Sequence, residues 1–230
     1  MMPLSADESE ALALSLSVAT RSVLLSLPFA LLLSWILTRK RFMGRTLLDA
    51  FVHLPLVLPP VVVGYLLLVL FGARGPLGGW LEHTFGMQLI FTRNGAALAT
   101  AFMTFPLMVR AMRISLETVD RGLEDAARTL GAGSLDRFAT ITLPLMLPGV
   151  LAGAITAFSA SLGEFGAVIT FVSNIPGETR TLPLALYSAL QTPGGDGEAA
   201  RLALISILLG FAGLLLSEWF ARRVRRMLGR

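Results

Sequence analysis

Long apolar runs separated by short polar segments dominate this chain. Five runs have the length of about 20 mostly apolar residues that an α-helix needs to cross a bilayer. They cover residues 17–38, 48–71, 94–112, 145–172 and 202–220. The fourth run is longer than one span and is interrupted at Gly163-Glu164. The pattern predicts an all-α polytopic membrane protein with about five transmembrane helices.

The basic residues indicate how these spans are oriented. Of the 19 lysines and arginines, 14 follow the first, third and fifth runs: Arg39, Lys40, Arg41, Arg45, Arg110, Arg113, Arg121, Arg128, Arg137, Arg222, Arg223, Arg225, Arg226 and Arg230. Loops rich in lysine and arginine remain in the cytoplasm. The sequence therefore predicts an N-out, C-in orientation, with the acidic N-terminus and the loops at 72–93 and 173–201 on the outer side.

Composition narrows the class of protein. The chain is 54% hydrophobic and 15% charged, with a mean hydropathy of +0.72, whereas soluble domains carry roughly 25% charged residues. The basic residues adjoin apolar runs and form no separate segment, so we expect a lipid bilayer and no nucleic acid as partner. With no cysteine and two histidines, we expect no metal site. Residues 1–230 are interpreted as a single transmembrane domain.

A polar segment between the third and fourth runs is typical of two short helices broken at a glycine. Asp120 can cap the first helix, and acidic residues near its start complement the helix dipole. Gly131 occupies the position of a helix C-cap glycine. The helix carries these candidate docking residues: Leu123, Glu124, Asp125, Ala126, Ala127, Leu130 and Gly131.

Four of these residues form a narrow apolar face at i, i+3, i+4 and i+7: Leu123, Ala126, Ala127 and Leu130. A face this thin lets the groove of a partner close around the helix. The alternative is an amphipathic connector on the lipid surface. Because such connectors usually carry larger anchors such as Phe or Trp, the pattern favours protein docking.

The same segment resembles the EAA loop of ABC importer permeases. The matching residues are Asp125, Ala126, Ala127, Gly131, Ile141, Leu143 and Pro144, at the spacing of that loop. Asp125 replaces the usual glutamate. The resemblance implies that the cytoplasmic loop, at about 113–144, contains a coupling helix that lies in a cleft of a separate ATPase subunit.

The chain lacks a nucleotide-binding motif of its own. Its one lysine, Lys40, lies outside any Gly-x4-Gly-Lys-Ser/Thr motif, the loop that cradles nucleotide phosphates. We expect no cofactor on this chain, with ATP and Mg on the partner subunit. An enzyme would need a nucleophile beside a base, and the sequence offers no such pair, so we predict no catalytic residues.

Two segments are candidates for a substrate path or gate. The first contains Pro59 and Pro60. Because proline has no N–H, some backbone carbonyls there lack a helical hydrogen-bond partner and must face protein or a water-filled cavity. The second contains Ser159, Ser161, Gly163 and Glu164. A carboxylate repels an oxyanion, so gating suits Glu164 better than anion binding. The alternatives are a plain kink at the prolines and a capping or interhelix hydrogen bond at Glu164.

The resemblance extends along nearly the whole chain to molybdate ABC transporter permeases. It is carried by residues 54–65 (LPLVLPPVVVGY), 161–167 (SLGEFGA), 174–183 (NIPGETRTLP) and 191–195 (QTPGG). It implies an ABC importer type I permease fold in the bacterial inner membrane and import of molybdate or tungstate. It also implies a homodimer with a path along its two-fold axis, two ATPase subunits and a periplasmic molybdate-binding protein.

Two other functions remain open at this point. Sulfate or thiosulfate ABC permeases share the EAA loop and a Gly-Glu-aromatic-Gly segment, and sulfate is also a tetrahedral dianion. A stand-alone channel or secondary carrier belongs to a different class. A secondary carrier usually has related halves and buried ionisable groups. This chain shows no internal repeat, and Glu164 is its one deep ionisable residue.

Overall fold

A computed structural model describes residues 5–227, in which every regular element is helical. Arg230, one of the predicted cytoplasmic arginines, lies outside this range. The α-helices are α1 (Ala6–Arg39), α2 (Arg45–His53), α3 (Pro60–Phe71), α4 (Pro76–Phe85), α5 (Arg93–Glu117), α6 (Arg121–Thr129), α7 (Ser134–Arg137), α8 (Leu143–Ser161), α9 (Gly166–Val172), α10 (Leu182–Gln191) and α11 (Asp196–Met227).

Helix α1 begins well before the first predicted span. Ser5 and Glu8 form a capping box: the Ser5 hydroxyl accepts from the Glu8 amide at 3.1 Å, and Glu8 Oε2 accepts from the Ser5 amide at 2.8 Å. Such a box satisfies backbone donors at a helix start. Glu8 is only 1% exposed and accepts a hydrogen bond from Arg201 Nε at 2.8 Å. The acidic N-terminal segment is thus helical and is joined to α11.

The predicted span at 48–71 folds as two helices joined at a sharp bend, which corresponds to the kink that the sequence allowed at the prolines. Helix α2 runs into a 3-10 turn at Leu54–Leu56, and α3 starts at Pro60, with 111° between the two parts. Prolines at 55, 59 and 60 remove backbone donors and prevent a continuous helix. The 12 residues of α3 are about 18 Å long, which is less than the roughly 30 Å hydrocarbon core.

The predicted interruption of the fourth run is confirmed. Residues Ser134–Ser161 form one span, with α7 joined to α8 through a π-helical turn at Phe138–Thr142. Helix α8 ends at Ser161, and α9 starts at Gly166. Among the described residues four helices can cross a membrane, and the bent pair of α2 and α3 raises the number to five. The predicted five spans match this higher number.

Helix α5 lies at the centre of the fold, between α1 and α8. Glycines on α8 permit this close packing, which is typical of membrane helices. A Cβ added at Gly149 would lie 2.2 Å from Ser115 Cβ, and one added at Gly153 would lie 3.2 Å from Ala111 Cβ. Toward the cytoplasmic end, buried Met112 of α5 belongs to the same cluster that includes α1 and α8 residues.

The two short helices α3 and α9 pack against each other at glycines. A Cβ added at Gly64 would lie 2.7 Å from the Ala167 carbonyl oxygen, and one added at Gly166 would lie 2.7 Å from Pro60 Cβ. Buried residues of α9, including Phe171, join residues of α3 and α5 in one apolar cluster. The start of α3 and the start of α9 are therefore neighbours, although about 100 residues separate them in the chain.

Candidate functional site

The polar hairpin after α5 folds as two short helices that meet at a glycine, as predicted. Asp120 Oδ1 accepts a hydrogen bond from the Gly122 amide at 2.8 Å and so caps α6. At the other end, the Ala132 amide donates to the Ala127 carbonyl at 3.0 Å. Gly131 has φ +89°, a left-handed conformation that favours glycine. This geometry reverses the chain sharply between α6 and α7.

The predicted apolar face of α6 is largely uncovered. Leu123, Ala126 and Leu130 are exposed, Leu130 to 88%, and Ala127 is half-buried. Leu135 at the start of α7 is 83% exposed and extends the apolar surface. The sequence analysis missed Leu135, whose signal was its isolation among polar residues just past the glycine turn.

The two neighbouring acidic residues of α6 have different surroundings. Glu124 Oε1 accepts hydrogen bonds from Arg39 Nη2 at 3.0 Å and from Thr142 Oγ1 at 2.8 Å. Arg39 also donates to the Val119 carbonyl at 3.2 Å, and its side chain is 9% exposed. Asp125, in contrast, is exposed to solvent. Glu124 therefore joins α6 to the end of α1 and to the π-helical turn that leads into α8.

Sequence reasoning grouped Glu124 with Asp125 and missed Arg39 and Thr142 as its partners. From the sequence, Arg39 is recognisable only as part of the positive charge that sets orientation. Thr142 lies between Ile141 and Leu143. A polar threonine between two apolar residues was the signal that could have identified it as a hydrogen-bonding partner. The contact between Arg39 and Glu124 depends on tertiary packing, because 85 positions separate the two residues in the chain.

The structure brings some of the candidate path residues together. Pro59 and Pro60, both exposed, are at the start of α3, beside the start of α9. Glu164 is there as well, and its Oε1 accepts a hydrogen bond from the Ala167 amide at 2.9 Å. This contact is the capping hydrogen bond that the sequence offered as an alternative role for Glu164. Gly163, which is exposed, permits the break between α8 and α9.

The two candidate serines point to other helices. Ser161 is buried; its hydroxyl donates to the Ala157 carbonyl at 2.7 Å and lies 3.0 Å from the Ser22 hydroxyl of α1. Ser159 lies against α11, where a Cβ added at Gly213 would be 2.6 Å from Ser159 Oγ. That hydroxyl is buried and has no hydrogen-bond partner among the described residues. The serines thus contribute to helix contacts on either side of α8.

Comparison with known proteins places the chain in a family. A family profile described as binding-protein-dependent transport system inner membrane component matches residues 26–226. The molybdenum transport system permease protein ModB of Escherichia coli (strain K12) is 58% identical over 229 residues, covering 100% of both chains. The sulfate transport system permease protein CysT of the same organism is 41% identical over 199 residues, 85% of this chain and 72% of that protein.

The fold is shared with solved importers. The crystal structure of a bacterial alginate ABC transporter, in complex with an alginate pentasaccharide-bound periplasmic protein, matches with a TM-score of 0.75. That match has 17% sequence identity and covers 96% of this chain and 80% of that chain. The predicted type I importer permease fold is confirmed, and the family and permease matches above confirm the inner-membrane location and the role of a transporter subunit. The chain belongs to the family of binding-protein-dependent transport system inner membrane components.

Proposed function

We propose that this chain is the membrane-spanning subunit of an ATP-driven importer of molybdate, with tungstate as a related substrate. The observation that carries this proposal is 58% identity along the whole of a molybdenum transport permease. The match to the sulfate permease is weaker and shorter, so sulfate import is the second candidate. The fold alone does not distinguish the substrates, because all three are tetrahedral dianions.

We propose that the hairpin at 113–144 is the element that an ATPase subunit grips. A largely exposed face with two leucines and two small alanines suits a groove that closes around the helix. Glu124 ties this face to α1 and α8 through Arg39 and Thr142. A push on the helix therefore reaches two spans through charge-assisted hydrogen bonds, which are roughly twice as strong as neutral ones.

We propose that two copies of the chain form a homodimer around a central path, with one ATPase subunit below each copy. The support is the exposed side of the broken segment, where Val57 is 82% and Tyr65 is 57% exposed. Carbonyls freed at the break between α2 and α3 need protein or water rather than lipid. A second copy across a two-fold axis would supply both cover and a wet path lined by Pro59, Pro60 and Glu164.

We propose that a periplasmic molybdate-binding protein docks on the opposite surface of the same membrane domain. The segment between α9 and α10 is fixed there by side-chain contacts. Arg93 donates to the Gly177 carbonyl and lies 3.7 Å from the Glu178 carboxylate. Arg180 donates to Asn174 Oδ1 at 3.1 Å. A rigid outer loop of this kind can present a stable surface to a soluble partner.

The importer proposal predicts molybdate uptake that resists sulfate. Cells that lack their own importer would express this chain with its neighbouring subunits, and uptake of labelled molybdate at low concentration would be measured with and without excess sulfate. We expect uptake to require ATP and to persist when sulfate is present. Uptake abolished by sulfate would assign the chain to the sulfate group, and ATP-independent uptake would indicate a channel or secondary carrier.

The docking proposal predicts that Gly131→Val uncouples the transporter. A β-branched residue at φ +89° costs roughly 1–3 kcal/mol, so the turn after α6 should deform. We expect uptake to fall at least tenfold while the protein still inserts in the membrane. Gly133→Val is the matched control, because Gly133 has φ −65° and, like Gly131, no atom within 4 Å of an added Cβ. Equal uptake by the two variants would contradict the assignment.

The homodimer proposal predicts a specific cross-link. The natural chain has no cysteine, so Tyr65→Cys introduces a unique thiol on the exposed side of α3. We expect a short bismaleimide reagent to convert most of this variant into covalent dimer in membranes. Ile207→Cys, on the exposed side of α11, is the control and should remain monomeric on gels. Equal dimer yields from the two variants would place the interface elsewhere.

A further inference from the structure

A pocket of about 530 Å³ opens at the cytoplasmic end of α1, beside the start of α6. Six charged side chains line it: Arg39, Arg41, Arg45, Arg121, Glu117 and Asp120. The pocket lies between four elements, namely the ends of α1 and α5 and the starts of α2 and α6. It is therefore at the level where the spans leave the cytoplasmic side of the bilayer.

The pocket has an excess of positive charge. Arg39 is neutralised by Glu124, and the other three arginines face two carboxylates. One net positive charge remains, and Lys40, which lies 5.0 Å from the Trp35 ring centroid, adds another nearby. Among the residues whose side chains the structure describes, Arg41 and Arg45 have no side-chain hydrogen bond or ion-pair partner. They are the cations that an anion entering the pocket would meet.

The segment beside the pocket, residues 42–53 with helix α2, has the composition of a membrane-surface helix. On its inner side, Asp49 of α2 is bonded to Arg113 of α5. On its outer side, Phe42, Leu47 and Phe51 are exposed, Phe51 to 65%. Apolar residues on one side with arginines at the start are typical of helices that lie in the headgroup region. The bend of 111° between α2 and α3 means that α2 does not continue in the direction of α3.

We propose that this pocket binds the phosphate headgroup of an anionic phospholipid from the inner leaflet. Arg41 and Arg45 would contact the phosphate oxygens, and the acyl chains would lie along Phe42, Leu47 and Phe51. A phosphodiester carries one negative charge, which complements the net charge of the pocket. The ligand would also lie next to Asp120 and Arg121, where the docking helix begins, and would steady that helix against the membrane.

The test is native mass spectrometry of the whole transporter, with its ATPase subunits, titrated with phosphatidylglycerol or with phosphatidylcholine. We expect phosphatidylglycerol to bind in preference to phosphatidylcholine. Each basic residue near an anionic membrane surface contributes about 1 kcal/mol. The double variant Arg41→Gln/Arg45→Gln should therefore bind phosphatidylglycerol roughly 25-fold more weakly.

Two further variants make the result specific. Arg74→Gln removes an exposed arginine from the outer loop and should leave binding unchanged, whereas Arg41→Lys/Arg45→Lys retains the charge and should retain most of the binding. Phosphatidylglycerol binding that is equal in the Gln double variant and the natural protein would overturn the proposal. Inorganic phosphate that occupies the pocket and displaces phosphatidylglycerol at low millimolar concentration would also overturn it, in favour of a free-anion site.

Discussion

The Glu124 carboxylate joins three parts of the molecule that are distant in sequence. It receives hydrogen bonds from Arg39 at the end of α1 and from Thr142 at the entry to α8. Arg121 of the same helix, α6, donates a longer hydrogen bond to the Thr38 carbonyl at 3.4 Å, and most of the helix's apolar residues are exposed. A helix of nine residues is marginal on its own. Its position therefore depends largely on the Glu124 hydrogen bonds, which connect the cytoplasmic surface to the membrane spans.

A second constraint acts on the broken helices within the membrane. Backbone groups at a break must be satisfied by protein or water. The two breaks lie side by side: α3 and α9 meet at Gly64 and Gly166, and Glu164 Oε1 accepts a hydrogen bond from the Ala167 amide in the first turn of α9. The same arrangement exposes Pro59 and Pro60 on one surface. Close packing of the broken helices and the exposure of the prolines in the proposed path thus arise from the same small residues.

Much of this arrangement could be predicted from the sequence. Apolar run lengths predicted the long helices, and the acidic-Ala-Ala spacing with Gly131 predicted the hairpin, because these signals are local. A kink within 48–71 was one of the alternatives offered by its prolines, but the size of the bend could not be predicted, since hydropathy carries no information on helix direction. The roles of Glu124 and Glu8 depended on Arg39 and Arg201, partners 85 and 193 positions away. Patterns along the chain do not encode such pairings.

In the proposed mechanism, the Arg39–Glu124 contact transmits motion between the ATPase subunit and the spans. The direct measurement is molybdate transported per ATP hydrolysed, in proteoliposomes that contain the complete transporter with Arg39→Gln, Glu124→Gln or both. Residues that act through one contact give non-additive effects. We predict that each single variant lowers the ratio several-fold while the ATPase remains bound, and that the double variant is no worse than either. A normal ratio in the single variants, or losses that add in the double variant, would contradict the account.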